Sequence, residues 1–280
     1  MISWPAPAKL NLFLHIVGRR ADGYHCLQTV FQFVDFKDTL RFVVRKDGHI
    51  TRGSGPLEVP AEQDLTVRAA RLLQRQSGVS AGVEILIDKH LPMGAGLGGG
   101  SSDAATTLVA LNKLWNIGWS TERLATLGLQ LGADVPVFVQ GQSAWGEGIG
   151  EVLTPIELPE PWYLLLIPPV KVSTADIFAS SDLTRDTPHI TISDFVSGQG
   201  NNDCEALVRR TYPEIDRALT WLSGHAKARL TGTGSALFAR FDTEQAARAV
   251  HTQVPNEWRA VVAKGLNRSP LLDVARVDNG

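Results

Sequence analysis

Five of the seven residues from Gly94 to Gly100 are glycine, and the run is wedged between two well-patterned segments. Before it, the apolar stretch 83–87 predicts a strand. After it, Ala104, Leu108, Leu111 and Trp115 recur at spacings of four, three and four, which is one face of a helix over 101–115. A flexible linker would not sit between two such elements. Residues without a Cβ let the backbone bend and approach a ligand closely, and the following helix offers unpaired N–H groups and the positive end of its dipole. Pro92, Met93, Gly94, Ala95, Gly96, Leu97, Gly98, Gly99, Gly100, Ser101 and Ser102 therefore read as a phosphate cradle. The two serines add hydroxyls that can cap the helix, bind phosphate or hold Mg2+ through water.

The kind of cradle is a separate question. No Gly-Lys-Ser/Thr closes it, which excludes a Walker A loop. Gly94, Gly96 and Gly99 satisfy G-x-G-x-x-G, but the dinucleotide reading needs a partner strand with a ribose-binding acid next. Here a second helix is predicted over 121–131, with Ser120 as its cap. The protein-kinase use of that spacing needs a downstream HRD-type loop, and the sequence has none.

The other segments mix strands and helices without regular alternation, which favours an α+β fold. Leu10, Leu12, Leu14 and Ile16 alternate with Lys9, Asn11, Phe13 and His15 in a first strand. The turn Arg20, Ala21, Asp22, Gly23 leads to a second apolar stretch over 27–34, and 40–44 is a further strand candidate. A helix is expected over 65–73, and a break at Gly132, Ala133, Asp134 leads into the apolar run 135–139, expected as a strand. The composition change over 154–161 places a division between a domain of residues 1–155 and one of residues 156–280. Beyond it come a strand over 163–167, at least one helix in 204–223, and strand–glycine turn–strand over 228–241.

Composition sets the limits. With 44% hydrophobic residues and a net charge of −2, a sizeable core is available and a general nucleic-acid binder is not expected. No run of uncharged apolar residues is long enough to span a membrane, and the amino-terminal stretch lacks a signal-peptide cleavage pattern, so a cytoplasmic protein with Cys26 and Cys204 as reduced thiols is expected. The seven histidines show no metal-binding spacing, so no protein-held metal is expected.

Three separated segments resemble one family. Pro7-Ala8-Lys9-Leu10-Asn11-Leu12, the glycine loop with Ser101-Ser102-Asp103, and Leu230-Thr231-Gly232-Thr233-Gly234-Ser235 are similar to the three ordered motifs of the GHMP small-molecule kinases. Arg20 to His25, Leu131 to Pro136 and Asn202 to Glu205 place the chain nearest the branch that acts on a cytidine-diphosphate methylerythritol in non-mevalonate isoprenoid synthesis. The resemblance covers about 4–270. It implies a two-domain α+β fold with ATP, accompanied by Mg2+, in the interdomain cleft, and transfer of the γ-phosphoryl group to the 2-hydroxyl of the erythritol moiety. The partners implied are these two small molecules alone, with neither nucleic acid nor membrane, for a monomer or homodimer. Another GHMP kinase, or a nucleotide-binding module without catalysis, is the alternative.

Phosphoryl transfer asks for positioning, charge neutralisation and an oriented hydroxyl, so a nearby carboxylate is useful. By its residue type Asp134 fits either that role or an ordinary turn, and Lys9, on one strand face with Asn11, fits either a catalytic cation or an exposed strand-end lysine. The resemblance assigns Lys9 and Asp134 to catalysis and Asn11 to substrate. It places Tyr24, His25, Thr174 and Phe178 around the cytidine, the two aromatics as stacking faces, and brings Lys89 to the nucleotide. Asp64 stands where the family's purine pocket has a polar residue such as Asn.

Overall fold

The computed structural model describes residues 2–276 except Asp22 and Leu57, so Asp22 of the expected turn lies outside the described residues. Among the described residues ten strands form one sheet: β1 (Trp4–Arg19), β2 (His25–Arg45), β3 (Ile50–Ser54), β4 (Gly82–Asp88), β5 (Ala144–Glu147), β6 (Val152–Pro155), β7 (Trp162–Ile167), β8 (Ala228–Leu230), β9 (Leu237–Phe241) and β10 (Arg259–Leu266). The helices are α1 (Leu65–Ser77), α2 (Gly99–Leu114), α3 (Thr121–Leu129), α4 (Val135–Gln140), α5 (Thr174–Ala179), α6 (Ile192–Val196), α7 (Glu205–Thr211), α8 (Pro213–Ser223), α9 (Glu244–His251) and α10 (Leu271–Arg276). The main strand path is β3-β4-β2-β10-β7-β9-β8, with β1 and β5 also pairing along β2.

The strands expected over 27–34 and 40–44 are one strand, β2. The polar interruption Asp35 to Asp38 does not break it: β1 pairs with Lys37 and Asp38 after a register shift, β4 takes over from Thr39, and the buried Asp38 is satisfied by the β4–α2 connection. In β1 the expected strict alternation fails. Register shifts between Asn11 and Leu14, and again between Ile16 and Gly18, turn the strand, so Leu14 joins Lys9 and Asn11 on the cleft wall. Phe13 instead enters a small cluster with Val30, Trp145 and Leu158. One extra residue moves the following side chains to the other face.

The run 135–139, expected as a strand, is the helix α4. Pro136 suits a first helical turn, Gly141 ends the helix at φ 67°, and all of Val135 to Val139 are buried, so no period is visible in the sequence. The helical stretch 204–223 is two helices, broken where Tyr212 precedes Pro213.

Helices α1 to α4 cover one sheet face in a core built from Phe33, Leu73, Ile85, Leu108, Leu111 and Phe138. A second core gathers Leu164, Leu166, Val208, Ile215, Leu219 and Leu237 beneath α7 and α8, and takes in Leu14 and Ile16 from β1. A third, with Leu10, Val34, Leu97, Leu165 and Phe238, lies under the glycine loop and draws on both halves of the chain. The loop is thus seated on the seam between the halves.

Candidate active site

Leu97 and Ala95 are the loop's anchors. Both are buried in the seam core, the Leu97 carbonyl accepts from the Lys9 amide at 3.0 Å, and the Ala95 carbonyl accepts from Ala236 at 3.0 Å. Before, between and after the anchors, Gly94, Gly96 and Gly98 take φ of 68°, 77° and 73°, a region costly for side-chain-bearing residues. A Cβ on Gly96 would lie 2.2 Å from the Thr231 carbonyl oxygen, and one on Gly98 would lie 2.7 Å from the Phe138 ring. The first glycine therefore lets the loop touch the Leu230 to Ser235 segment, and the second lets it turn into α2. The amides of the first turn of α2 have no carbonyl one turn earlier to bond, which leaves them for an anion.

A cavity of about 420 Å³ opens on this turn. Pro92, Gly94, Ala95, Gly96, Gly98, Gly99, Gly100 and Ser101 form one wall, Lys9, Asn11 and Asp134 another, and Thr174, Phe178, Gly232 and Thr233 a third. Lys9 is almost fully buried yet reaches Asp134 Oδ2 at 3.3 Å, while the Asp134 side chain is 33% exposed. The ammonium also donates to Asn11 Oδ1 and stands 5.5 Å from the centre of the Phe31 ring. Asn11 is held in turn: its Nδ2 donates to Thr29 Oγ1 and its amide to Thr231 Oγ1, each at 2.9 Å. A buried cation with one open carboxylate partner is suited to meeting the anionic charge of a transferring phosphoryl group.

The remaining expected residues sit elsewhere. Met93 faces outward, 38% exposed, and Ser102 is buried with its hydroxyl donating to the Pro7 carbonyl at 2.7 Å, so of the two serines it is Ser101 that lines the cavity. Lys89 lies behind the loop, clasped by Asp38 at 2.5 Å and Asp103 at 2.6 Å. Asp38 also accepts the His90 and Leu91 amides, and burial pushes the Asp103 carboxyl above its ordinary range against the pull of the Lys89 ammonium. This triad pins the strand before the loop to the helix after it. Asp64 caps α1, accepting from the Thr66 amide, and pairs with Arg52 at 2.6 Å.

On the third wall, Thr174 Oγ1 and Thr233 Oγ1 are 2.8 Å apart, and Phe178 and His25 bring their ring centres to 5.0 Å. Tyr24, next to His25 in the chain, is 60% exposed. His25 Nε2 accepts from Arg185 Nε at 3.0 Å. Burial, then Arg185 and Arg19, hold its pKa below the ordinary 6.5. Arg185 carried no mark in the sequence, where it sits in an irregular polar tract. Asp38, likewise unmarked, stands inside a strand. Cys204 is buried and its thiol pushed up to about 12, which makes it inert packing.

A glycine loop that opens a helix toward a lysine–aspartate pair, in a cleft walled by both halves of an α+β chain, defines a small-molecule kinase of the GHMP type. Sequence profiles for the GHMP kinases N terminal domain and the GHMP kinases C terminal region match residues 64–142 and 191–260. The 4-diphosphocytidyl-2-C-methyl-D-erythritol kinase of Nitrosococcus oceani is 59% identical over 98% of each chain, and that of Alkalilimnicola ehrlichii 57% identical over 96% of this chain and 92% of its own. A crystal structure of 4-(cytidine 5'-diphospho)-2C-methyl-D-erythritol kinase superposes with a TM-score of 0.82 at 31% identity, covering 94% of this chain and 99% of the other. A mevalonate kinase structure, TM-score 0.71 at 15% identity over 96% of this chain and 100% of its own, shares the fold. The chain belongs to the 4-diphosphocytidyl-2-C-methyl-D-erythritol kinase family of GHMP kinases.

Proposed function

We propose that the chain transfers the γ-phosphoryl group of ATP to the 2-hydroxyl of the erythritol moiety of 4-diphosphocytidyl-2-C-methyl-D-erythritol, a step of non-mevalonate isoprenoid synthesis. The observation that carries this reading is the Lys9–Asp134 pair, 3.3 Å apart on the cavity wall facing Gly94 to Ser101. The nucleotide's phosphates rest on the first-turn amides of α2. The hydroxyl oxygen attacks the γ-phosphorus, its proton passes toward the Asp134 carboxylate, and the bond to the β-phosphate oxygen breaks to release ADP. Lys9 orients the Asp134 carboxylate and shares in the charge of the transferring group, while Asn11 keeps the ammonium in place. The cytidine end lies toward Thr174, Phe178, His25 and Tyr24, with the aromatic rings as stacking surfaces.

Mg2+ fits as a companion of the nucleotide. Ser101 and Asp134 put two oxygens into one cavity, and among the described residues no cluster of three acidic, histidine or cysteine side chains forms a cage. An ion held chiefly by phosphate oxygens suits such a donor set, and when bound it neutralises phosphate charge. Among the described residues no helix is long and apolar enough to cross a membrane.

An ADP-release assay over a panel of alcohols tests the reading. Steady turnover is expected with the cytidine-diphosphate methylerythritol and not with mevalonate, galactose or homoserine. Lys9→Ala and Asp134→Asn are expected to lower kcat by roughly 10²- to 10⁴-fold with the thermal midpoint close to wild type. Nucleotide binding without turnover of any alcohol refutes the kinase assignment.

A further inference from the structure

The helix that carries Thr174 and Phe178 into the cavity, α5, has six residues, too few to hold itself together in water. Its amino-terminal end is tied by Thr174 Oγ1 to Thr233 Oγ1. Its carboxy-terminal end leaves carbonyls that no later helical amide can meet. One side chain gathers the last of these with two carbonyls just beyond the helix. Arg185 donates through Nη2 to the Phe178 carbonyl at 2.9 Å and to the Ser180 carbonyl at 2.6 Å, and through Nη1 to the Leu183 carbonyl at 3.0 Å. Its Nε donates to His25 Nε2 at 3.0 Å, across to the first residue of β2. A guanidinium only donates, so His25 must turn a lone pair toward it, which fixes the neutral imidazole with its hydrogen on Nδ1. The same imidazole lies against the Phe178 ring, with 5.0 Å between centres.

We propose that Arg185 is a positioning residue for substrate: it locks α5 onto the start of β2 and so sets Phe178 as the fixed wall of the cytidine end of the cleft. The inference rests on the function proposed above. The chemistry of the group is suited to the task, because a planar fork satisfies several carbonyls at once and an ammonium does not. Its hydrogen bonds go to Phe178, Ser180, Leu183 and His25 rather than to the glycine loop or the Lys9–Asp134 pair, so its effect is expected on one substrate.

Steady-state kinetics with both substrates, and calorimetric binding of cytidine diphosphate, test this on wild type, Arg185→Ala, Arg185→Lys and Phe178→Ala. In Arg185→Ala the KM for the alcohol is expected to rise roughly ten- to hundredfold, the scale of losing hydrogen bonds to a charged donor, with the KM for ATP within about twofold of wild type. Arg185→Lys recovers part of the loss, and adding Arg185→Ala to Phe178→Ala changes little, since both act through one ring. An unchanged KM for the alcohol, equal rises for both substrates, or full additivity with Phe178→Ala overturns the inference. Wild type that binds no cytidine diphosphate and turns over no alcohol overturns the proposed function itself, and this inference with it.

Discussion

His25 shows how one proton reaches the substrate wall. Burial and the two nearby arginines hold its pKa below the ordinary 6.5, so the folded chain favours the neutral ring. The sign follows from linkage. With the folded pKa depressed, the unfolded state binds more protons, so stability from the neutral ring is full above 6.5 and is lost as pH falls through the folded value. Protonation also removes the lone pair that meets Arg185. Denaturation midpoints are therefore expected to decline on acidification below 6.5, and a His25→Gln variant, which keeps an acceptor but does not titrate, to show a flatter profile. Lys89 illustrates the opposite balance. Its ammonium meets two acidic side chains that are buried behind the glycine loop. Lys89→Ala strands both, and a loss of about 3–5 kcal/mol in chemical denaturation is expected, the scale for breaking a buried ion pair.

At the scale of the element, the glycine loop separates two reasons for being glycine. Gly94 has φ 68° with open space around its absent Cβ, whereas Gly96 has φ 77° and the Thr231 carbonyl 2.2 Å from that point. Gly94→Ala meets only the backbone cost, about 1–2 kcal/mol, and is expected to raise the KM for ATP less than Gly96→Ala does. Gly96→Ala must also push apart the loop and the Leu230 to Ser235 segment. It is expected to raise the KM for ATP and to lower the thermal midpoint well beyond Gly94→Ala. Equal effects in thermal melts and ATP titrations would show that the close approach to Thr231 carries no weight. The helix α2 behind the loop is held by the same logic, its first turn fixed by the hydrogen bond from Ser102 to Pro7 and by the Lys89 triad behind it.

Across the whole molecule, the two halves are laced together. β10 pairs with both β2 and β7, Leu14 and Ile16 of β1 lie in the core under α7 and α8, and Leu271 returns from the end of the chain into the core of α1 to α4. Leu271→Ala is therefore expected to cost about 2–5 kcal/mol although it lies far from the cleft in sequence, and calorimetry of that variant is expected to show one unfolding transition rather than two. The sequence by itself determined much of this protein. Local pattern marked the helix α2, the Ser120 cap, the strand before the glycine loop and the glycine turn between β8 and β9, because each is written in residues close together along the chain. Three short motifs marked the cavity's walls through their resemblance to those of the GHMP kinases. What only the tertiary structure decided depends on distant partners. The bulge that turns Leu14 toward the cleft, the helical state of 135–139, the single long β2, the withdrawal of Lys89 and Ser102 from the cavity, and the reach of Arg185 to His25 each follow from burial and pairing across the fold. No local period records such contacts, since the groups that satisfy these backbones and charges come from elsewhere in the chain.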